Sequence, residues 1–198
     1  MKPYVNYSVI YDNVRNLGEQ VMKTLVIYKS KTGFTKKYAE WISEELSADI
    51  FHATKVNDNM LSAYECVIYG GGLYVVGING VKLITQNIDK LKGKKVVVFA
   101  TGMSPLREES ISEVISKNFT LEHQKNIQFF YLRGGFDYSK LNTFDKMLMT
   151  LLKTSIKWKK LRKKKLISDE IGILEVFDKP TDYTRRAKID ELVKYVTS

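Results

Sequence analysis

With 198 residues, 44% of them apolar, the chain can fill one sizeable hydrophobic core. Its single cysteine, Cys66, excludes an intrachain disulfide, a cysteine-built zinc site and an iron–sulfur cluster. The formal charge of +10 would suit nucleic acid, lipid or acidic small molecules. Yet ten Lys or Arg lie between residues 140 and 165 against one acid, Asp145, so that segment carries +9 and the remainder is nearly neutral.

Residues 1–21 show no periodicity and read as an extension before the domain of residues 22–198. An alternative is that translation starts at Met22, since codons for Leu17-Gly18-Glu19 can spell a purine-rich ribosome-binding sequence. No apolar run approaches the roughly 20 residues of a membrane-spanning helix, and the N-terminus lacks the basic start and apolar centre of a signal peptide. The expected location is a reducing cytoplasm, with peripheral attachment to the inner face of the cell membrane as an option.

From Thr24 onward, short β-branched runs alternate with segments of helical period. Strands are expected at 24–29, 49–53, 66–72, 95–101 and 127–133, with Cys66 a small core residue on the third. Helices are expected at 34–47, about 79–91, 107–118 and 183–196, the last stopped and N-capped by Pro180-Thr181-Asp182. This pattern predicts an α/β fold: a doubly wound, five-stranded parallel sheet of order 2-1-3-4-5. An insert, residues 136–170, follows the fifth strand. Ligands of such a sheet bind beyond the carboxyl ends of the strands where strand order reverses, here between the first strand and the third.

One loop at that address is Ser30-Lys31-Thr32-Gly33-Phe34-Thr35, directly before the first helix. A phosphate monoester held without metal needs several donors at close range. A helix N-terminus offers free N–H groups and a positive dipole end, Ser30, Thr32 and Thr35 offer hydroxyls, and Gly33 lets the backbone approach. The same residues would also serve as an ordinary helix cap. Lys31 either helps neutralise the anion or is solvated.

The spacing Ser-x-Thr-Gly-x-Thr between a first strand and first helix resembles the FMN-phosphate signature of flavodoxin-like proteins. Neither a Walker lysine pattern nor Gly-x-Gly-x-x-Gly is present. The resemblance implies a flavodoxin-like fold, FMN as cofactor, and two flavin loops. Gly71, Gly72, Leu73 and Tyr74 fall in the first of these. The run Gly70-Gly71-Gly72 suggests backbone that passes close to something flat or takes positive φ. Tyr74 is either the stacking residue or an ordinary loop aromatic. Thr101, Gly102 and Met103 fall in the second loop, which lacks the acidic and aromatic pattern of small electron-carrier flavodoxins.

The carboxyl-terminal third resembles the menaquinone-dependent protoporphyrinogen oxidase branch, through residues 130–138 (FYLRGGFDY), the helix-like stretch 141–156 and Thr181-Asp182-Tyr183. That resemblance implies oxidation of protoporphyrinogen IX in heme biosynthesis, with a quinone as electron acceptor. Arg107 and Arg133 are candidates for its propionates, guanidinium matching carboxylate. His52 and His123 suggest no acid–base pair or metal site. The alternatives are a flavodoxin-type electron carrier, which a +9 insert disfavours, and a quinone reductase, for which no second nucleotide motif is visible.

Within the insert, Leu141, Phe144, Leu148, Leu151, Leu152, Ser155 and Trp158 form an approximate helical stripe flanked by lysines. Such a helix can lie in an anionic membrane interface or pack on the domain with a solvated lysine tail. Nucleic acid is not expected as a partner, because no recognition motif accompanies the basic run.

Overall fold

A computed structural model describes residues 22–105, 107–166, 170–171, 174, 177 and 179–198. The extension 1–21 lies outside the described residues. Among the described residues no helix is long and apolar enough to cross a membrane.

Strand β1 (Thr24–Lys29) is built of β-branched and apolar residues whose alternation sends Leu25 and Ile27 to one face and Val26 to the other. It pairs in parallel with β2 (Asp49–His52) on one side and β3 (Cys66–Tyr74) on the other. β3 pairs with β5 (Lys95–Gly102), and β5 with β6 (Ile127–Arg133), giving the order β2-β1-β3-β5-β6. This is the expected doubly wound sheet. It has one addition: β4 (Gly77–Ile78) folds back antiparallel on the end of β3.

Helix α1 (Phe34–Leu46) buries Tyr38, Ala39 and Ile42 against one face of the sheet, beside the C-terminal helix that contributes Leu192 and Val196. The other face is covered by α2 (Asp58–Ser62), α3 (Lys82–Thr85) and α4 (Glu108–Asn118), with Leu61, Ile84 and Val114 buried. Cys66 is buried in β3, and burial pushes its thiol up to about 11, away from the reactive thiolate.

Three expectations need correction. The helix of 79–91 is in fact α3 followed by a separate 3₁₀ turn at Ile88–Leu91. Between them Asn87 donates its side-chain amide to the Leu83 carbonyl, the kind of local bond that competes with helix continuation. The glycine run is not a loop, because Gly70, Gly71 and Gly72 belong to β3 and none has positive φ. Their purpose is clearance: a Cβ on Gly70 would collide with the Phe99 ring of the neighbouring strand, and one on Gly71 would come within 2.6 Å of Ile78 Cγ2.

The third correction concerns Pro180-Thr181-Asp182. Thr181–Asp182 form a short strand paired antiparallel with Gly135–Phe136, and helix α7 (Asp190–Thr197) starts only after a 3₁₀ turn at Arg186–Ile189. In chain order Gly135–Phe136 is β7 and Thr181–Asp182 is β8. Asp182 accepts from the Thr184 backbone N–H (2.8 Å) and hydroxyl (2.6 Å), so it caps a turn rather than a helix. His52 and His123 also have local work: His52 Nδ1 bonds the Thr54 hydroxyl, and His123 closes a capping box with Thr120 at the start of α5 (Leu121–Asn126).

Among the described residues, the insert after β6 holds a long helix, α6 (Thr143–Leu161), N-capped by Asn142, whose side chain accepts from the Asp145 N–H. The chain enters it through Leu141, which is buried, and through Asp137, whose carboxylate accepts from the Ser139 backbone N–H and hydroxyl. Ile156 is the buried residue of α6. Phe144, Leu148, Leu151, Leu152 and Trp158 of the expected stripe are exposed.

Because Gly70 lies under Phe99, Gly70→Ala is expected to overpack the sheet and lower stability by about 1–3 kcal/mol in urea unfolding. Combining it with Phe99→Leu should cost less than the two single changes added together, since the second change removes the colliding ring.

Candidate functional site

The C-terminal ends of β1, β3 and β5 open into a cleft of about 670 Å³ at the point where strand order reverses. Its near end is the loop after β1. Ser30 Oγ accepts from Gly33 N–H at 3.0 Å, a bond that closes the loop on itself. Gly33 takes φ 95°, a left-handed conformation that favours glycine, and no side chain caps α1. The first-turn N–H groups of this 13-residue helix thus have no intrahelical partner and point to the cleft end with the positive dipole behind them.

Two contacts tie this loop to the rest of the site. Buried Thr35 and Thr101 share a hydroxyl–hydroxyl hydrogen bond of 2.7 Å, joining α1 to the end of β5. Lys31 Nζ reaches both oxygens of Asp145 on α6, at 2.7 and 2.9 Å, and stands 4.7 Å from the centroid of the Tyr74 ring. Lys31 is therefore neither simply solvated nor free to serve an anion alone: its charge is shared with the insert.

The middle of the cleft is lined by Gly72, Leu73 and Tyr74 from β3 and by Thr101, Gly102 and Met103 from β5 and the loop after it. Gly72 lies under Tyr74, whose ring would stand 3.3 Å from an added Cβ. Burial, aided by the Asp145 charge, pushes the Tyr74 phenol up to about 12, so it stays protonated through the physiological range. Tyr131 of β6, also pushed up to about 12 by burial, donates to the Ser104 carbonyl and holds the second loop.

The far end is apolar. It is lined by Phe136 of β7 and by Leu141, Leu148, Met149 and Leu152. Lys31 and Asp145 are the charged side chains among the described residues of the lining. No group of three or more His, Cys, Asp or Glu suited to a metal ion occurs among the described residues.

Of the residues expected from sequence, the cleft gathers Lys31, Thr32, Phe34, Thr35, Gly72, Leu73, Tyr74, Thr101, Gly102 and Met103. Ser30, Gly33 and Gly71 stand behind that lining and shape it through the loop bond, the left-handed turn and the strand contact already described. The two arginines are elsewhere. Arg107 is exposed at the start of α4. Arg133 donates from Nε to the Met103 carbonyl at 2.9 Å and stacks 3.6 Å from the centroid of Tyr183, so it positions the second loop instead of facing the cleft. Sequence reasoning did not single out Asp145, Tyr131 or Phe136 for the site. Asp145 had one signal, as the lone acid in a run of ten cations.

Comparisons with known proteins bear on the family. Residues 25–163 match the family model described as flavodoxin domain. An uncharacterised protein of Methanocaldococcus jannaschii is 34% identical over 87 residues, 42% of this chain and 57% of its own, so the chain spans little more than half of that relative. Similar solved structures include a WrbA-like flavodoxin from Agrobacterium tumefaciens, at 16% identity over 63% of this chain and 88% of that chain, TM-score 0.45. Another is the two-electron reduced flavodoxin of Megasphaera elsdenii, at 16% identity over 56% and 85%, TM-score 0.43.

The apolar end hangs from the β7–β8 pair, and Asp182 anchors β8. Burial works against its ionised form, but the Thr184 hydrogen bonds and the ion pair with Lys37 (2.9 Å) outweigh that and hold its carboxyl below the ordinary value. A depressed folded value means that the stabilisation is present above the unfolded carboxyl range, about pH 4, and is lost as pH falls through the folded value. The urea midpoint is expected to drop on acidification below about pH 4, and Asp182→Asn should shallow that drop while lowering the neutral-pH midpoint.

Proposed function

Because the chain belongs to the flavodoxin domain family, we propose that it is an FMN-dependent oxidoreductase whose cleft receives an uncharged, apolar acceptor of the quinone class. One observation carries this reading: the cleft has an anion cradle at one end, an apolar wall at the other, and a single cation among its described lining residues.

The cradle fits a phosphate monoester. Thr32 and Thr35 offer hydroxyls, the uncapped first turn of α1 offers N–H groups, and Gly33 keeps the approach open. Leu73, Tyr74, Thr101, Gly102 and Met103 line the stretch where a flat ring would lie. Bound flavin would supply electron-transfer chemistry that no side chain here can perform. What the protein supplies is position: the Thr35–Thr101 bond fixes the two loops against each other, and Arg133 and Tyr131 fix the second loop through the carbonyls of Met103 and Ser104.

Charge favours the quinone. A neutral ring can be buried against Phe136, Leu148 and Leu152 without a counter-ion, whereas the two carboxylates of protoporphyrinogen IX would need paired cations. Lys31 stands at the phosphate end, and Arg107 and Arg133 lie outside the lining. Protoporphyrinogen IX is kept as the second reading, for the donor, because the long helix that follows β6 occupies the place where the sequence resembles the protoporphyrinogen oxidase branch.

The test is anaerobic stopped-flow absorbance. Chemically bleached, FMN-loaded protein mixed with a menaquinone analogue is expected to recover its flavin absorbance on a turnover timescale, and lack of recovery would refute the quinone. Leu152→Asp should slow that recovery about tenfold, or about 1.4 kcal/mol, with FMN affinity retained. In a second mixing experiment, protoporphyrinogen that leaves the oxidised flavin unbleached would eliminate it as donor. Asp145→Asn frees Lys31 for the phosphate and should tighten FMN by roughly fivefold, on the order of 1 kcal/mol, as read by flavin fluorescence quenching, while Lys31→Ala weakens it.

A further inference from the structure

Helix α6 carries its apolar side outward. At about 100° per residue, buried Ile156 and half-buried Met149 mark the side that meets the domain. Phe144, Met147, Leu148, Leu151 and Trp158 fall roughly opposite, within an arc of about 100°. Phe144 is 63% exposed, Leu151 61% and Trp158 57%. The domain receives the lysine side instead: Lys153 Nζ lies 4.2 Å from the centroid of Phe177, and Lys146 Nζ lies 6.0 Å from that of Tyr138. A contiguous outward apolar face of this kind marks an interaction surface.

Charge selects the partner. The run Arg162 to Lys165 is exposed at the C-terminal end of the helix, where Lys163 takes φ 54° and ends it. Arg162 stands 5.7 Å from the centroid of Trp158, so a cation and an amphipathic ring sit at the border between the two surfaces. A second copy of this chain would bring an identical +9 segment against the first, which opposes self-association. A protein partner would have to match an apolar strip and a cationic end together. An anionic bilayer presents both in one plane, apolar interior beneath negative headgroups.

We propose that the outward face of α6 docks on an anionic lipid surface, with Phe144, Leu151 and Trp158 entering the interface and the cations at the helix end meeting the headgroups. Leu148 belongs both to this side and to the cleft wall, next to Leu152 of that wall. An apolar molecule dissolved in the lipid would thereby reach the cleft without crossing water; that route, unlike the docking itself, rests on the quinone reading above.

Sedimentation of the full chain with vesicles tests the docking without reference to catalysis. Phosphatidylcholine vesicles containing phosphatidylglycerol are expected to pellet the protein, and phosphatidylcholine alone is not. Leu151→Glu, and separately Lys163→Ala with Lys164→Ala and Lys165→Ala, should each weaken binding by about tenfold or more. Both variants should keep the wild-type urea midpoint and FMN affinity, because the altered side chains are exposed. Protein that stays in solution with both vesicle types, or variants that pellet like wild type, would overturn the proposal. So would a lipid-free dimer that Leu151→Glu dissolves, since the face would then belong to a second copy.

Discussion

The site depends on the level at which parallel strands end. Lys29 lies beside Gly71, Gly72 beside Thr101, and Gly102 beside Arg133, so three loops leave the sheet at nearly one height. Parallel pairing brings all their carboxyl ends to one edge, and the reversal of order between β1 and β3 leaves a crevice there. The floor of that crevice is low because glycines stand where side chains would rise into it. At Gly102 a Cβ would approach within 2.6 Å of the Tyr131 hydroxyl, and that hydroxyl is what holds the second loop through Ser104. A side chain at Gly102 would therefore displace the loop as well as fill the cleft.

The loop after β1 meets the insert through an ion pair and through Lys140, whose Nζ lies 5.6 Å from the centroid of the Phe34 ring. Lys31 and Asp145 keep side-chain exposures of 36% and 14%, so water screens the pair and its contribution to stability is modest. Its consequence is electrostatic. Asp145 sets a negative charge beside the loop after β1, so an anion proposed to bind that loop would compete with Asp145 for Lys31. The attachment of α6 itself relies on Leu141, Ile156 and the Asp137 turn, which bury apolar area or satisfy backbone groups irrespective of ionic strength.

Much of this was legible in the sequence because the relevant signals are local. Five β-branched runs alternating with helical segments are enough to order the sheet, and Ser30 to Thr35 announces itself by its spacing between strand and helix. What failed was long-range. Three consecutive glycines look the same whether they yield to a ligand or to Phe99 across the sheet. Thr181-Asp182 reads as a helix start unless Gly135–Phe136 is known to lie opposite, and Arg133 reads as a free guanidinium unless Met103 and Tyr183 are known to meet it.

The same limit explains the insert. Periodicity locates an apolar stripe on 141–158 but carries no sign, since a stripe facing the core and one facing outward have the same spacing. The ordinary inference, apolar inward, assumes that the domain offers an apolar seat. Here, beside the seat of buried Ile156, it also offers aromatic rings: Tyr138 and Phe177, packed 4.8 Å apart between centroids, receive lysines on their faces. Aromatic faces attract cations, each contact contributing about 0.5–2 kcal/mol. Once the lysine side of α6 has that seat, helical geometry sends Phe144, Leu151 and Trp158 to the opposite side. The outward apolar face thus follows from the aromatic platform beneath the helix, and replacing the platform by aliphatic residues would remove the preference that keeps the lysines inward.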